Sequence, residues 1–114
     1  MGYRSEIILV VGKEALPLFM TALAKEPEAR ALCYSHADKR IDNYEDGAVL
    51  FHWDHIKWYD SFKEVATIEE FMNDCDTEDL EDHYRFVRIG EETDDNEVRG
   101  WGFDHVYITR SVEY

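Results

Sequence analysis

The stretch at residues 48–59, AVLFHWDHIKWY, constrains the fold most because it is the most apolar and most aromatic segment of the chain. Val49, Phe51 and Trp53 alternate along its first half, which predicts a β-strand with one face in a hydrophobic core. We therefore expect this stretch to form the central strand of a sheet.

The second half of the stretch breaks that alternation. The next large apolar residues, Ile56 and Trp58, fall on the opposite parity to Trp53. A β-bulge near Asp54 and His55 would shift the register, and bulges are common where a side chain is redirected at a site. A strand that ends at Asp54, or one buried on both faces, explains the pattern as well, so these interpretations stay open.

The remaining segments complete the set of elements. Residues 5–11 (SEIILVV) are apolar on both faces, which predicts an interior strand. An apolar stripe with helical spacing runs over residues 16–23, and the capping box of Thr67 and Glu70 predicts a second helix from about Ile68. Further strands are predicted at residues 39–44, 84–89 and 103–112, with at most a turn or two of helix at 28–34 and a loop at 91–97.

This order of elements predicts one α+β domain over residues 1–114. We expect a mainly antiparallel sheet of about five strands with two helices on one face, and a ferredoxin-like variant is one such arrangement. An exposed edge on the last strand would invite a homodimer.

Cysteine usage and hydropathy indicate the compartment. Cys33 and Cys75 lack the spacing of a metal site, which predicts buried, reduced thiols. No leader-like segment opens the chain, and no apolar run reaches the roughly 18 residues of a membrane span. We expect a cytoplasmic protein that has no contact with a membrane and no cofactor.

Charge is the strongest compositional signal. The chain has 12 Lys and Arg against 26 Asp and Glu, a formal net charge of −14, which repels nucleic-acid phosphates and anionic lipids. Direct nucleic-acid binding is therefore not expected, whereas a basic protein partner is favoured.

Acidic residues concentrate on both sides of the strand predicted at residues 84–89. Residues 74–97 have a net charge of −9. If the two acidic segments converge at one edge of the sheet, they imitate a row of phosphates for a basic partner. An ordinary solvated acidic face is the alternative interpretation. The candidate partner-binding residues are Asp76, Glu78, Asp79, Glu81, Asp82, Glu91, Glu92, Asp94, Asp95 and Glu97.

Aromatic and arginine side chains suggest a second kind of site. Stacking planes combined with bidentate cationic donors are typical of nucleotide pockets, although arginines in an acidic protein more often form internal ion pairs. The candidate ligand-binding residues of this alternative are Arg4, Trp53, His55, Trp58, Tyr59, Arg85, Arg88 and Trp101.

Metal binding and catalysis have less support in the sequence. His52, Asp54 and His55 would need a further ligand, for which His36, His83 and His105 are candidates. Hydrogen-bonded histidines at the rim of the sheet are the simpler interpretation, so no metal ligand is assigned. No serine or cysteine has a recognisable nucleophile context, and carboxylate pairs are uninformative in so acidic a chain. We therefore expect no catalytic residues and no enzyme activity.

Four segments resemble a family of small acidic proteins associated with bacteriophages and prophages: residues 1–5 (MGYRS), 57–61 (KWYDS), 86–92 (FVRIGEE) and 109–112 (TRSV). That family has no established activity, so the resemblance implies a context and no site residues. It implies a phage accessory protein that binds and blocks a host component in the host cytoplasm. The acidic segment at residues 74–97 favours inhibition of a basic, nucleic-acid-handling host factor, such as a defence nuclease or a CRISPR effector. Sequestration of a nucleotide-derived immune signal is the alternative.

Overall fold

The structure is a computed structural model that describes residues 2–92 and 94–106. The described residues form five strands, three α-helices and one 3₁₀ turn, which confirms the predicted α+β class. In chain order these are β1 (Ser5–Val11), α1 (Leu16–Lys25), α2 (Pro27–Tyr34), β2 (Lys39–Ile41), β3 (Val49–Ile56), α3 (Lys63–Thr77), the 3₁₀ turn (Glu81–His83), β4 (Tyr84–Ile89) and β5 (Asn96–Arg99).

The sheet has the strand order β2-β3-β1-β4-β5, and every neighbouring pair is antiparallel. Because β3 lies between β1 and β2, the first part of the chain is a split βαβ unit, as in a ferredoxin-like sheet, and β5 extends the edge beside β4. The central strand is β1 and not the predicted β3. Residues 7–11 of β1 are fully buried, since helices cover one face of the sheet and loops cover the other.

Alternation along β1 divides the hydrophobic core between the two faces of the sheet. Ile7 and Leu9 pack with Phe51 and Trp53 beneath the helices. Ile8 on the opposite face belongs to a smaller cluster that also contains Val10, Ala48, Leu50, Val87 and Val106. This division explains why β1 is apolar at every position from Ile7 to Val11.

The helix layer contains three helices where the sequence predicted two. Pro27 begins α2 at the first helical position, where its missing N–H removes no intrahelical hydrogen bond. The Glu26 side chain accepts a hydrogen bond from the backbone N–H of Glu28 at 3.2 Å. This cap stabilises the start of α2, whose eight residues make about two turns, as the sequence allowed.

The fifth strand lies earlier in the chain than predicted. Residues 96–99 form β5, and residues 103–106 form turns in place of the start of the predicted last strand. Glu97 and Arg99 of β5 face the helix layer, while Val98 is 42% exposed. The polar side chains of this strand therefore point inward and its apolar side chain points to solvent. The rest of the predicted strand at 107–112, and with it the exposed edge expected to dimerise, lies outside the described residues.

A β-bulge interrupts the pairing of β1 with β3. Ser5 pairs with Ile56 and Ile7 pairs with Trp53, so Asp54 and His55 together oppose a single residue of β1. Of the interpretations that the sequence left open, the structure therefore shows the β-bulge. It redirects the chain after β3 across the end of the sheet.

Both cysteines are fully buried and make no disulfide, as predicted. Burial raises the pKa of the Cys33 and Cys75 thiols to about 12. Both groups therefore remain protonated at neutral pH and do not react as thiolates. Within the described ranges, none of the helices is long and apolar enough to cross a membrane.

Candidate functional site

A cavity of about 460 Å³ lies at the end of the sheet, where the chain crosses from the bulged β3 to α3. We call it the end cavity. Side chains from the N-terminal segment, the β3–α3 loop, α3, β4 and the β4–β5 hairpin converge on it. Its lining residues are Tyr3, Ser5, Trp58, Tyr59, Asp60, Glu69, Arg88, Asp95 and Glu97.

Trp58 connects the end cavity to the core. Its side chain is 8% exposed, and its ring packs against Trp53 and Phe86 with centroid distances of 5.7 and 5.8 Å. The buried Trp58 Nε1–H points near the Glu69 carboxylate but makes no hydrogen bond of acceptable geometry within the described part of the chain. By contrast, Trp53 Nε1 donates to the Leu32 carbonyl at 3.0 Å. A buried donor without a partner is uncommon in folded proteins.

The Arg88 guanidinium forms ion pairs with two carboxylates of the protein. Its Nη2 lies 2.9 Å from Asp95 Oδ1, and its Nε lies 3.3 Å from Glu97 Oε1. The Tyr3 hydroxyl also donates to Asp95, at 2.6 Å. These hydrogen bonds hold the pKa of Asp95 down at about 2 and raise the pKa of Arg88. Arg88 therefore has little donor capacity left for an anionic ligand.

Glu69 of α3 is a lining carboxylate of the end cavity with a raised pKa. Burial raises its pKa, the negative charge of Glu97 raises it further, and the Arg99 guanidinium partly opposes both. Arg99 Nη1 lies 3.1 Å from Glu69 Oε1, and Arg99 Nη2 lies 3.0 Å from both Asn73 and Asp76 oxygens. This network joins β5 to α3 and fixes one wall of the cavity.

The cavity lining is strongly negative. Asp60, Glu69, Asp95 and Glu97 contribute four carboxylates, against the single guanidinium of Arg88. The formal charge of the lining is therefore −3, and a phosphate would be repelled.

The structure brings together three of the eight residues in the predicted nucleotide set, namely Trp58, Tyr59 and Arg88. Arg4 and His55 instead line a separate cavity of about 420 Å³ with Gly2 and Glu91.

The other three members of that set lie elsewhere. Arg85 faces the opposite side of the sheet, where it donates to the carbonyls of Val106 and Gly100, both at 2.9 Å. Trp53 is a core residue, and Trp101 is 76% exposed. The predicted set is therefore not one pocket, because strand alternation sends its members to different faces.

The two acidic segments lie at opposite ends of β4 and do not converge at one point. The six residues of β4 separate them by about 17 Å, from a rise of about 3.3 Å per residue. Asp76, Asp95 and Glu97 are held in ion pairs with arginines. The acidic side chains that remain exposed lie at both ends of β4, with Glu78, Asp79 and Asp82 before it and Glu91, Glu92 and Asp94 after it, and together we call them the acidic edge.

The bulge also assembles a group of potential metal ligands. Ligand atoms of Glu6, His52 and Asp54 all lie within 4.8 Å of one another, and His52 Nε2 is 2.8 Å from Glu6 Oε2. Two carboxylates and an imidazole are suitable ligands for zinc or a similar ion, with water completing the shell. The contact between Glu6 and His52 depends on strand pairing, so sequence spacing did not reveal it.

The other predicted ligands do not join this group. His55 contacts Arg4 through its backbone carbonyl, His83 pairs with Glu14 at 3.3 Å, and His105 Nε2 lies 2.9 Å from the Tyr44 hydroxyl.

The end cavity also contains residues that the sequence did not single out: Tyr3, Ser5, Asp60 and Glu69. Tyr3 and Ser5 belong to the MGYRS segment, and Asp60 belongs to the KWYDS segment. Their position in two of the family-like segments is a sequence signal that could have marked them as candidate site residues. Glu69 lies on α3, and only the packing of that helix on the sheet brings it to the cavity.

No protein-family model matches the chain, and no curated protein or solved structure matches it. The resemblance to phage proteins therefore stays a prediction, and function has to be argued from the geometry.

The Tyr3–Asp95–Arg88 contact predicts a defined acid sensitivity. Because the pKa of Asp95 is about 2 when folded and ordinarily 3.8, its contribution to stability is complete above 3.8 and is lost as the pH falls toward 2. We expect Asp95→Asn to flatten the loss of stability across that window in urea denaturation. The exposed neighbour provides the control, since Asp94→Asn should leave the slope as in the parent. Equal slopes for the parent and Asp95→Asn would contradict the assignment.

Proposed function

We propose that this chain is a non-enzymatic binding protein whose acidic edge engages a basic protein that handles nucleic acid. The observation that carries the proposal is the contrast between the two charge signs at this edge. Six carboxylates are exposed to solvent, whereas the nearby arginines are turned inward. Such a surface attracts a basic groove at long range and favours rapid association.

Because the arginines make inward contacts, the exposed charges of this surface are negative. The side chains of Arg88 and Arg99 are 19% and 18% exposed, and each is held by two carboxylates. Arg85 is held by backbone carbonyls. A partner approaching the edge therefore meets acceptors with few competing donors, which is the character of a nucleic-acid backbone.

The host context of the proposal comes from the resemblance to phage proteins. A basic nucleic-acid-handling factor, such as a defence nuclease or a CRISPR effector, has a groove built for phosphates. Occupation of that groove by the acidic edge would exclude nucleic acid and inhibit the factor. The nucleotide alternative has less support, because the arginines expected to bind phosphate are used within the protein.

We expect neutralisation of the acidic edge to weaken partner binding about 10-fold or more, because electrostatic attraction supplies the affinity. The edge variant replaces the six glutamates and aspartates by glutamine and asparagine. The measurement is capture from lysate as salt rises from about 50 to about 200 mM, followed by displacement of the captured protein with DNA. Native binding should fall with salt and should be reversed by DNA.

A matched control separates location from net charge. It neutralises six acids remote from the edge, at Glu28, Asp38, Asp42, Glu45, Asp46 and Glu70, and so has the same net charge as the edge variant. The control should retain the partner. Recovery of no basic protein at low salt, or equal losses in both variants, would reject the proposal.

A further inference from the structure

We propose that the end cavity is a binding site for an organic cation, specifically a primary ammonium or guanidinium group that has an oxygen acceptor nearby. This site is separate from the acidic edge, because none of the six acidic-edge residues lines the cavity. The inference therefore does not depend on the proposed function. Three features support it: the charge of the lining, its aromatic side chains and the orphaned indole donor.

The charge of the lining selects a cation. Glu69 and Glu97 repel each other, and Asp60 adds to the same repulsion, while Arg99 at 3.1 Å from Glu69 offsets only part of it. The cation among the described lining residues, Arg88, is already paired with Asp95 and Glu97. A cationic ligand between Glu69 and Glu97 would relieve this repulsion and make charge-assisted hydrogen bonds to both.

The aromatic side chains favour an organic cation over a metal ion. Tyr3, Trp58 and Tyr59 contribute three aromatic side chains to the lining beside the carboxylates. Aromatic rings attract ammonium and guanidinium groups and bury the aliphatic carbons attached to them. A bare divalent ion gains nothing from such surface, and the volume of about 460 Å³ suits a small molecule or a long side chain.

The indole of Trp58 adds a requirement for an acceptor. Its Nε1–H is buried close to the Glu69 carboxylate but makes no hydrogen bond of acceptable geometry to any described residue, although the cavity beside it is rich in carboxylates. The hydroxyl or carbonyl oxygen of a ligand could accept this hydrogen bond while the cation contacts Glu69. The chemistry is therefore that of a hydroxylated amine, or of an arginine residue with its backbone carbonyl.

The test follows the three tryptophan indole signals in ¹H–¹⁵N NMR spectra. Trp58→Phe assigns the Trp58 signal, and the Trp53 signal reports an intact core because its N–H is bonded to Leu32. The probes are glucosamine, arginine amide and the peptide Ala-Arg-Ala, with N-acetylglucosamine and AMP as neutral and anionic controls. We expect a saturable shift of Trp58 with cationic probes only.

Binding of glucosamine or arginine amide supports a small-molecule ligand. Binding of the peptide Ala-Arg-Ala, with no binding of those two amines, supports a protein side chain. Cyclohexylamine, which has the same single ammonium charge but no oxygen, should bind more weakly than glucosamine. Trp58→Phe lacks both the N–H donor and the reporter signal, so its binding is measured by isothermal titration calorimetry. The difference between the two probes should then disappear.

Carboxylate variants test the assigned contacts. Glu69→Gln and Glu97→Gln should each lower the affinity for the cationic probes about 10-fold, since each removes one charged acceptor. Glu70→Gln is the matched control, because Glu70 is next to Glu69 on α3 but lines the groove against α1. It should bind like the parent.

The proposal is overturned if no cationic probe shifts Trp58, if AMP shifts it equally, or if both carboxylate variants bind like the parent. The acidic-edge variant distinguishes this failure from that of the proposed function. It keeps every cavity residue and should bind the cationic probes normally even if it loses its protein partner.

Discussion

Replacement of Trp53 by alanine is expected to lower the free energy of unfolding by about 3–5 kcal/mol, as for other large aromatic residues in cores. The side chain is 1% exposed and packs against Phe51 and Trp58. It also donates a hydrogen bond to Leu32, so truncation leaves a cavity and an unpaired carbonyl. Urea denaturation followed by circular dichroism measures the change.

Trp101→Ala provides the matched control for this experiment. Trp101 is 76% exposed, so its removal should change the unfolding free energy by no more than about 0.5 kcal/mol. Losses of similar size at the two tryptophans would contradict the assignment of Trp53 to the core. The loss expected for Trp53→Ala is a large part of the roughly 5–15 kcal/mol by which domains are typically stable.

Gly100→Ala should lower the unfolding free energy by about 2–4 kcal/mol, through backbone strain combined with overpacking. Gly100 has φ of +86°, a conformation that side chains disfavour. An added Cβ would also overlap the carbonyl group of Tyr84 on the neighbouring strand. Relief of that overlap requires movement of β5, whose end supplies a carbonyl acceptor for Arg85.

Gly47→Ala isolates the strain from the overlap. Gly47 has φ of +85°, but the nearest atom to an added Cβ is a Lys13 side-chain carbon at 3.3 Å. Gly47→Ala should therefore lower the free energy of unfolding only by the backbone strain, about 1–2 kcal/mol. Equal thermal destabilisation by both substitutions would show that the backbone approach at Gly100 has no energetic consequence.

Hydrophobic patterning was sufficient for most of the fold. Continuous aliphatic residues predicted the interior position of β1, because only a strand covered on both faces is apolar at every position. The parity break after Trp53 pointed to the bulge, although a strand that ends at Asp54 fitted the same residues. Patterning failed at β5, where ion pairs to Arg88 and Glu69 replace apolar burial on the inward face.

Prediction of the end cavity required contacts that are remote in sequence. Tyr3 meets Asp95 across 92 positions of the chain, and Arg99 meets Glu69 across 30. Composition showed that the chain is acidic, but it could not show which carboxylates arginines neutralise and which remain exposed. For the alternative of a small-molecule site, the proposed ligand therefore changes from an anionic nucleotide to a cation.

The stretch at residues 48–59 by itself determined a buried strand, since alternation of large apolar side chains depends only on local geometry. The tertiary structure decided that this strand lies beside the central one and that Trp58 has an orphaned donor at a negatively charged cavity. Strand order and the placement of α3 depend on packing between distant segments. Local periodicity contains no information about such packing, so only the folded chain shows where the cavity forms.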